Sequence, residues 1–309
     1  MSRLDKKQKK KKWPWIVGIL GVVLVIVLIY GFMIFKGFTD TVSEIHEPIE
    51  REVSDKRDAP VTFDNKEPFS VLVLGVDERE GDAGRSDTII VLTVNPETKS
   101  STMVSIPRDT YTEIIGKGKM DKINHAYAFG GIEMSMHTVE NLLDIPIDYV
   151  VQVNMDSFKD IVDAVGGITV NNTLDFTVGN YSYPVGEITL DGEEALSFVR
   201  MRYEDPRGDF GRQDRQKQVI QAVLREGASV NSLVNYKSIF GAIGDNVRTN
   251  MTFDEMVDVQ ANYRDAFGKV DQLYIQNGTG QKIDGIYYYM MNDEELNEIK
   301  TALKTHLEL

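Results

Sequence analysis

The pattern of apolar and polar positions separates a short uncharged segment near the N-terminus from a long alternating region that begins at Phe69. Residues 16–35 carry no charge and are rich in Val, Ile and Leu. At about 1.5 Å per residue, a helix of that length spans the roughly 30 Å hydrocarbon core of a membrane. Trp13 and Trp15 lie at one end, as expected of aromatic residues at a membrane interface. Residues 13–35 are therefore predicted to form a transmembrane anchor.

Basic residues before this segment predict its orientation. Seven lysines and arginines, against one aspartate, lie in residues 1–12, and such an excess marks the cytoplasmic side. A cleaved signal peptide is the alternative, but the apolar run is longer than usual for one and no small-residue cleavage site follows it. We expect a single-pass type II protein of the cell membrane, with a cytoplasmic tail over residues 1–12 and the remainder outside the cell.

The outer part of the chain has two regions of different composition. Residues 36–66 are rich in Asp, Glu, Ser and Pro and poor in apolar residues, which predicts an extracellular stalk. Residues 67–309 are long enough for one sizeable domain with its own core.

Within that domain, near-continuous apolar runs predict buried strands, and apolar positions at helical spacing predict helices. The predicted strands cover residues 70–76, 88–94, 102–106, 149–153, 168–171 and 270–275, with a hairpin over residues 174–190. The predicted helices cover residues 131–143, 157–165, 192–196, 209–225, 252–267 and 293–307. Strands interleaved with helices indicate an α/β domain with a mixed central sheet flanked by helices on both faces.

One further strand is predicted over residues 198–203, where arginines are concentrated. An extended chain would put Arg200 and Arg202 on one face, because side chains alternate along a strand. Two neighbouring guanidinium groups suit a phosphate or pyrophosphate, since each donates paired hydrogen bonds. The alternative is that these arginines are solvated or pair with local carboxylates, and Arg207 and Arg215 stay with that alternative.

Composition excludes several classes of function. The chain has 34 basic and 48 acidic residues, and only one acid lies before residue 36, so the outer part has a net charge of about −20. A nucleic-acid binder would need the opposite balance. The absence of cysteine excludes disulfides, thiolate metal sites and cysteine nucleophiles. The four histidines form no zinc pattern, and His306 lies in the C-terminal tail.

Two aspartates are expected at one edge of the sheet. Asp77 comes directly after the first buried run, and Asp87 comes directly before the second. Ligands of open α/β sheets bind beyond the strand ends, and two carboxylates close to a phosphate suit Mg²⁺. The alternative is that both acids cap turns, as aspartate commonly does. Spacing alone leaves both interpretations open.

Further polar residues are expected near the same edge. Arg108 and Asp109 follow the third predicted strand, and Lys122 precedes the first helix. Asp209 begins another helix, where it could accept from free amides or orient Arg212 one turn later. The sequence has no Gly-x-Ser-x-Gly elbow, His-Glu-x-x-His motif or Walker loop. Arginines and aspartates without an obvious covalent nucleophile are typical of phosphoryl transfer.

Several segments carry a resemblance to a known family, and they are Leu74-Gly-Val-Asp, Arg85-Ser-Asp-Thr, Ser105-Ile-Pro-Arg-Asp, Lys122-Ile-Asn-His-Ala-Tyr, Val165-Gly-Gly-Ile, Leu190-Asp-Gly-Glu-Glu-Ala-Leu-Ser-Phe-Val-Arg-Met-Arg and Asp209-Phe-Gly-Arg-Gln-Asp-Arg-Gln. In this order they resemble the LytR–CpsA–Psr family of cell-wall enzymes. Each motif alone is weak, whereas the ordered set, with its basic tail and single anchor, is specific. The resemblance spans residues 69–228, and residues 229–309 are expected to complete the fold.

The resemblance implies an enzyme of Gram-positive-type bacteria that moves a glycopolymer from a polyprenyl pyrophosphate carrier to N-acetylmuramic acid of peptidoglycan, releasing polyprenyl phosphate. Wall teichoic acid is the first choice of polymer, and capsular polysaccharide stays open. By resemblance, Asp77 and Asp87 would hold Mg²⁺ or Mn²⁺, and either Asp109 or Asp209 would act as the base. The substrate would be held by basic and amide side chains, namely Arg85, Arg108, Lys122, Arg200, Arg202, Arg212 and Gln216.

Three other functions are compatible with parts of this pattern. A hydrolase of lipid-linked or nucleotide pyrophosphates would use the same arginines with water as the attacking group. A membrane-anchored regulator could bind polyprenyl phosphate without turnover, but its cytoplasmic part of about a dozen residues is too short to read DNA. A structural scaffold of the wall machinery would not require this set of arginines.

Overall fold

The computed structural model describes residues 53–76, 84–227 and 247–309. The predicted cytoplasmic tail, the predicted anchor and Asp77 lie outside these ranges. Within them, no helix combines the length and the apolar composition needed to cross a membrane.

The described part of the chain contains single strands and runs of strands separated by helices. The strands are β1 (Phe69–Val76), β2 (Ser86–Asn95), β3 (Ser100–Ser105), β4 (Tyr111–Ile114), β5 (Lys119–Lys122), β6 (Tyr149–Val153), β7 (Ile168–Asn172), β8 (Phe176–Val178), β9 (Tyr181–Tyr183), β10 (Gly186–Leu190), β11 (Val247–Thr249), β12 (Val270–Leu273), β13 (Thr279–Ile283) and β14 (Ile286–Met290). The helices are α1 (His125–Leu143), α2 (Met155–Ala164), α3 (Gly192–Arg200), α4 (Asp209–Gly227), α5 (Phe253–Asn262) and α6 (Asp293–His306).

Six of the strands form one mixed sheet in the order β11-β6-β1-β2-β3-β12. Strand β1 pairs antiparallel with β2 and parallel with β6, and β2 pairs antiparallel with β3. Strands from the C-terminal part of the chain complete both edges, because β11 pairs with β6 and β12 pairs with β3. The mixed central sheet predicted from the sequence is therefore confirmed.

The side chains of β1 alternate between two apolar cores, one on each face of the sheet. Leu72 and Leu74 belong to a first core that α1 and α6 cover. Phe69 and Val71 belong to a second core, against which α4 and α5 pack. Each fully buried side chain of this kind contributes about 1.5–3 kcal/mol to the hydrophobic stabilisation. Helices thus lie on both faces of the sheet, as predicted.

Helix α4 joins these two cores to a third, which lies between β7–β10 and the helices α2 and α3. Val219 and Ala222 of α4 are buried in the third core. Ile220 and Leu224 pack on the second core, and Phe210 packs on the first. One helix therefore contacts all three apolar cores, and its position depends on all of them.

The strand predicted over residues 198–203 is wrong, because residues 198–200 are the last turn of α3. A capping box begins this helix: Asp191 Oδ1 accepts from the Glu194 amide at 2.8 Å, and Glu194 Oε2 accepts from the Asp191 amide at 3.1 Å. Phe198 is buried in the third core. Alternation over a few residues is compatible with either structure, and here the helix that follows Asp191 continues only as far as Arg200.

The last part of the predicted stalk packs on the domain. Arg57 Nε contacts Asp148 Oδ1 at 2.6 Å, with both side chains largely buried. Phe63 is buried, and its ring meets that of Phe69 edge-on at 5.3 Å. These contacts tie residues 53–66 to the sheet, although their polar composition gave no indication of it.

His306, at the end of α6, contacts strands of the central sheet. The sequence did not predict these contacts. Its Nδ1 lies 2.8 Å from Thr93 Oγ1, and its Nε2 lies 3.1 Å from Ser100 Oγ. Its backbone carbonyl accepts from Asn95 Nδ2 at 2.9 Å. Burial lowers the pKa of His306 below its usual 6.5.

This burial predicts a pH dependence of stability. The unfolded chain binds a proton on His306 more tightly than the folded chain does, so acidification favours unfolding. We expect the free energy of unfolding to fall as the pH decreases from 6.5 toward the lowered pKa, and His306→Gln to reduce that slope. Urea unfolding of the full chain in detergent at several pH values measures both. An equal slope in the variant would contradict the prediction.

Candidate functional site

The pairing of β2 with β3 brings a carboxylate and a guanidinium together at one edge of the sheet. The last paired residues of β2 and β3 are Ile90 and Ser105, and the Ile106 amide donates to the Ile89 carbonyl at 2.9 Å. Arg108 follows in the turn after β3. Arg108 Nη1 contacts Asp87 Oδ1 at 2.9 Å. This ion pair joins β2 to the turn after β3. The pairing of the two strands therefore brings these two predicted residues to the same edge of the sheet.

Asp109 extends this contact to a second cation. Its Oδ1 accepts from Lys122 Nζ at 2.7 Å, and its Oδ2 lies 3.9 Å from Arg108 Nε. The four side chains Asp87, Arg108, Asp109 and Lys122, here called the strand-edge cluster, alternate in charge. Each is between 18 and 34% exposed, so the cluster is held by the fold yet open to a ligand.

The pairing of β1 with β2 directs the preceding strand to the same edge. Val76, the last residue of β1, pairs with Ser86 after a shift in register. Ser86 directly precedes Asp87, and Val76 directly precedes Asp77. The chain therefore leaves β1 at the edge that holds Asp87. Asp77 lies outside the described residues, so its proximity to Asp87 stays a prediction.

Oxygen atoms beside the cluster suit a hard divalent cation. Ser86 Oγ and Asn124 Oδ1 are buried and have no hydrogen-bond partner among the described residues. The Asn124 amide donates to the Arg108 carbonyl at 3.3 Å, which places this residue beside the cluster. In the described part of the chain, no three acidic or histidine side chains form a metal site. Mg²⁺ commonly needs only one or two carboxylates, with waters and substrate phosphates as further ligands, and the residues present fit that pattern.

Aromatic and backbone contacts place the first turn of α4 beside the strand-edge cluster. Tyr289 of β14 donates its amide to the Asp109 carbonyl at 2.9 Å. The Tyr289 ring lies 6.0 Å from that of Phe210, in the first turn of α4. Arg212 and Gln216, both half-buried, follow at successive turns of this helix. Helix α4, which carries the predicted substrate-binding residues Arg212 and Gln216, thus begins next to the cluster.

The other predicted arginines are exposed. Arg85 directly precedes β2, Arg200 ends α3, and Arg202 lies in the segment between α3 and α4. The backbone of Asp209 begins α4, and its side chain is outside the description. Helix α3, which ends at Arg200, packs on α4, and α4 begins beside the strand-edge cluster.

Comparison with known proteins identifies the family. Residues 32–305 match the model of the LytR_cpsA_psr family. The chain belongs to this family. A Bacillus licheniformis relative named polyisoprenyl-teichoic acid–peptidoglycan teichoic acid transferase TagU is 53% identical over 306 residues, which are 99% of each chain. The Bacillus subtilis protein of the same name is 52% identical over 308 residues, which are 99% of this chain and 100% of that protein.

Solved structures share the fold. The crystal structure of Bacillus subtilis TagU has a TM-score of 0.65 at 54% sequence identity, and the match covers 79% of this chain and 98% of that one. A structure of TagT bound to LI-WTA has a TM-score of 0.74 at 33% identity, with 85% of this chain and 100% of that one covered. The LytR–CpsA–Psr resemblance inferred from the ordered motifs is therefore confirmed.

In this LytR–CpsA–Psr domain, Arg215 pairs with a local carboxylate, as the alternative interpretation allowed, but the expectation that it lies on the solvated surface is wrong. Arg215 is only 4% exposed, and its guanidinium contacts Asp205. Arg215, Val219 and Ala222 recur at the spacing of one helix face, and that spacing was a sequence signal for burial. Arg207 is exposed, as expected, and its side chain contacts Asp214 at 2.6 Å.

Proposed function

We propose that this chain is a membrane-anchored phosphotransferase that attaches wall teichoic acid, carried on polyprenyl pyrophosphate, to N-acetylmuramic acid of peptidoglycan. Polyprenyl phosphate is the second product. Membership of the LytR–CpsA–Psr family supports a role in building the cell wall. The names of two relatives more than 50% identical over nearly the whole chain support teichoic acid as the polymer and peptidoglycan as the acceptor.

The strand-edge cluster is the observation that carries this proposal. Arg108 and Lys122 each contact a carboxylate at hydrogen-bond distance, which holds both cations at fixed positions. Guanidinium groups bind phosphate oxygens in pairs, and an ammonium adds a compact point charge. Four further arginines lie on neighbouring parts of the chain: Arg85 directly precedes β2, Arg200 ends α3, Arg202 follows that helix and Arg212 lies in α4. A pyrophosphate would meet positive charge from several directions in an otherwise acidic domain.

In the proposed reaction, a hydroxyl of N-acetylmuramic acid attacks the phosphorus next to the first sugar of the polymer. A new oxygen–phosphorus bond joins the acceptor, and the bond from that phosphorus to the bridging oxygen breaks. The bridging oxygen leaves with its electron pair as part of polyprenyl phosphate. The hydroxyl proton passes to Asp109 or Asp209, and activity of the Asp109→Asn and Asp209→Asn variants would separate these two candidates.

Asp87 and Asp77 are proposed to hold Mg²⁺ at the same edge of the sheet. When bound, the cation would neutralise charge on the pyrophosphate oxygens. Arg108 contacts one oxygen of Asp87 at 2.9 Å and so fixes the orientation of that carboxylate. Ser86, the residue directly before Asp87, has a buried Oγ without a partner among the described residues, and this oxygen is a further candidate ligand.

Substitution of two arginines tests the proposed binding of pyrophosphate. We expect Arg202→Ala and Arg108→Ala each to lower the rate of transfer by at least about a hundredfold, because each removes a charge aimed at the phosphates. The measurement is attachment of labelled, polyprenyl-pyrophosphate-linked teichoic acid to peptidoglycan by the full chain in detergent. Arg225→Ala is the matched control, since Arg225 is an exposed arginine in the last turn of α4.

The same assay without peptidoglycan separates transfer from hydrolysis. Release of polymer at an equal rate with water alone, with no attached product, would identify a hydrolase instead. Full transfer activity in both arginine variants would contradict their assignment to the substrate.

Chelation tests the proposed cation. EDTA should stop transfer, and added Mg²⁺ should restore it. We expect Asp87→Asn to need at least about tenfold more Mg²⁺ for half-maximal activity, because a carboxylate ligand is lost. Asp265→Asn is the control, since Asp265 is an exposed acid that pairs with the surface residue Lys99. Transfer that continues unchanged in EDTA would show that no such cation is needed.

The predicted anchor over residues 13–35 places the domain outside the cell in this proposal. Protease added to intact protoplasts should therefore digest the domain while an epitope tag on the N-terminus stays protected. Digestion that occurs only after lysis would contradict the proposed orientation.

A further inference from the structure

Arg215 of α4 holds the segment that carries Arg200 and Arg202. Its Nε donates to the Phe198 carbonyl at 3.1 Å, and its Nη2 donates to the Met201 carbonyl at 2.5 Å. Phe198 lies in the last turn of α3, and Met201 lies between the two exposed arginines. One buried guanidinium therefore fixes the backbone on both sides of Arg200 and directly before Arg202.

Asp205 extends this support to the far end of the segment. Arg215 Nη1 donates to Asp205 Oδ2 at 2.6 Å, and Asp205 Oδ1 accepts from the Arg207 amide at 2.8 Å. The Gly208 amide donates to the Asp205 carbonyl at 2.9 Å. Burial acts to raise the pKa of Asp205, but the hydrogen bonds from Arg215 and the Arg207 amide lower it below its usual value. Asp205 is thus an ionised group that connects the segment to Arg215.

A glycine in the first turn of α4 makes room for the ion pair of Arg215 and Asp205. A Cβ at Gly211 would lie 1.7 Å from Asp205 Oδ2, so only glycine leaves room for the carboxylate against the helix. The guanidinium of Arg215 also lies 5.4 Å from the ring of Phe176 and 6.0 Å from that of Phe198. The ion pair is therefore enclosed by the helix on one side and by aromatic rings of the third core on another.

Stability alone does not explain why a buried ion pair is present at this position. Removing two charges from water is costly, and well-packed apolar residues of similar volume often stabilise a fold as much or more. Apolar side chains, however, cannot donate to the carbonyls of Phe198 and Met201. The specific property of Arg215 is that it defines the path of the backbone between α3 and α4.

We propose that Arg215, through its pair with Asp205, is a positioning residue that sets the direction of Arg200 and Arg202 toward the pyrophosphate of the donor. This inference rests on the proposed function, because it assigns the two exposed arginines to that substrate. Arg215 itself is buried and acts only through the segment that it holds.

Four variants of the full chain in detergent separate positioning from simple stability. Arg215→Met leaves Asp205 buried without its partner, and Arg215→Lys keeps the charge but loses the forked donors. The double variant Arg215→Met with Asp205→Leu removes both charges together. Arg225→Met is the matched control, because Arg225 is an arginine of the same helix whose side chain is 56% exposed.

Three measurements are made on each variant. The midpoint of thermal unfolding reports stability, and transfer kinetics with varied donor and varied acceptor give kcat and both KM values. Binding of farnesyl pyrophosphate, a probe that carries a pyrophosphate on a short prenyl chain, gives an affinity that does not depend on transfer. Arg202→Ala serves as the reference for loss of a phosphate contact.

We expect Arg215→Met to unfold at lower temperature and the double variant to recover much of that loss. Both should raise the KM for the donor by about tenfold or more, as expected when hydrogen bonds to a charged group are lost. The KM for peptidoglycan should stay unchanged, and Arg215→Lys should behave like Arg215→Met toward the donor. A role in stability alone would instead let the double variant regain both its unfolding midpoint and its KM for the donor, and that result would overturn the proposal.

The binding probe keeps this proposal separate from the proposed function. If the unmodified protein transfers no polymer, the proposed function fails, and positioning is judged on farnesyl pyrophosphate alone. Equal weakening of binding by Arg202→Ala and by the double variant would support positioning. Weakening by Arg202→Ala alone would overturn it, and so would unchanged binding in both variants, since the arginines would then not read the pyrophosphate.

Discussion

The antiparallel pairing of β1, β2 and β3 is the constraint on which the site depends. It brings Asp87, the turn after β3 that carries Arg108, and the end of β1 to the same edge of the sheet. A shift of one residue in this register would turn Asp87 to the other face and separate it from its partner. The pairing also needs glycine at position 75, because a Cβ there would lie 2.8 Å from Thr88 Cβ. Close packing of the backbone and placement of charge are therefore set by the same contacts.

Helix α4 is the second element that the site requires, because it belongs to all three apolar cores. Its first turn reaches the strand-edge cluster through Phe210 and Tyr289. One turn further along, Arg215 holds the segment that carries Arg200 and Arg202. Apolar packing on several sides leaves such a helix little freedom to shift or rotate. The distance between the two groups of cations is therefore maintained by hydrophobic contacts rather than by direct contacts between the charges.

The electrostatics of the domain follow from this arrangement. The outer part of the chain is strongly acidic, so a phosphate-bearing substrate would be repelled by most of its surface. Alternating ion pairs at the sheet edge keep Arg108 and Lys122 in place without a ligand, at the cost of partly neutralising them. Exposed arginines on the neighbouring segments retain their full charge for an anion. The site therefore has two kinds of cation: those in ion pairs define its geometry, and the exposed arginines attract the proposed anionic substrate.

Local pattern by itself determined most of the secondary structure, the mixed sheet and the family. Apolar runs and helical spacing depend on near neighbours, so they can be read without knowledge of the fold. They also indicated that Asp87, Arg108 and Asp109 would share an edge, since each lies at a strand end. Only the tertiary structure decided that α3 extends to Arg200, because a short alternating pattern fits helix and strand alike and the burial of Phe198 and Val199 in the third core depends on packing. The tertiary structure alone also decided that Arg215 pairs with Asp205. That contact depends on how α3 and α4 pack, and residues distant in the sequence control this packing.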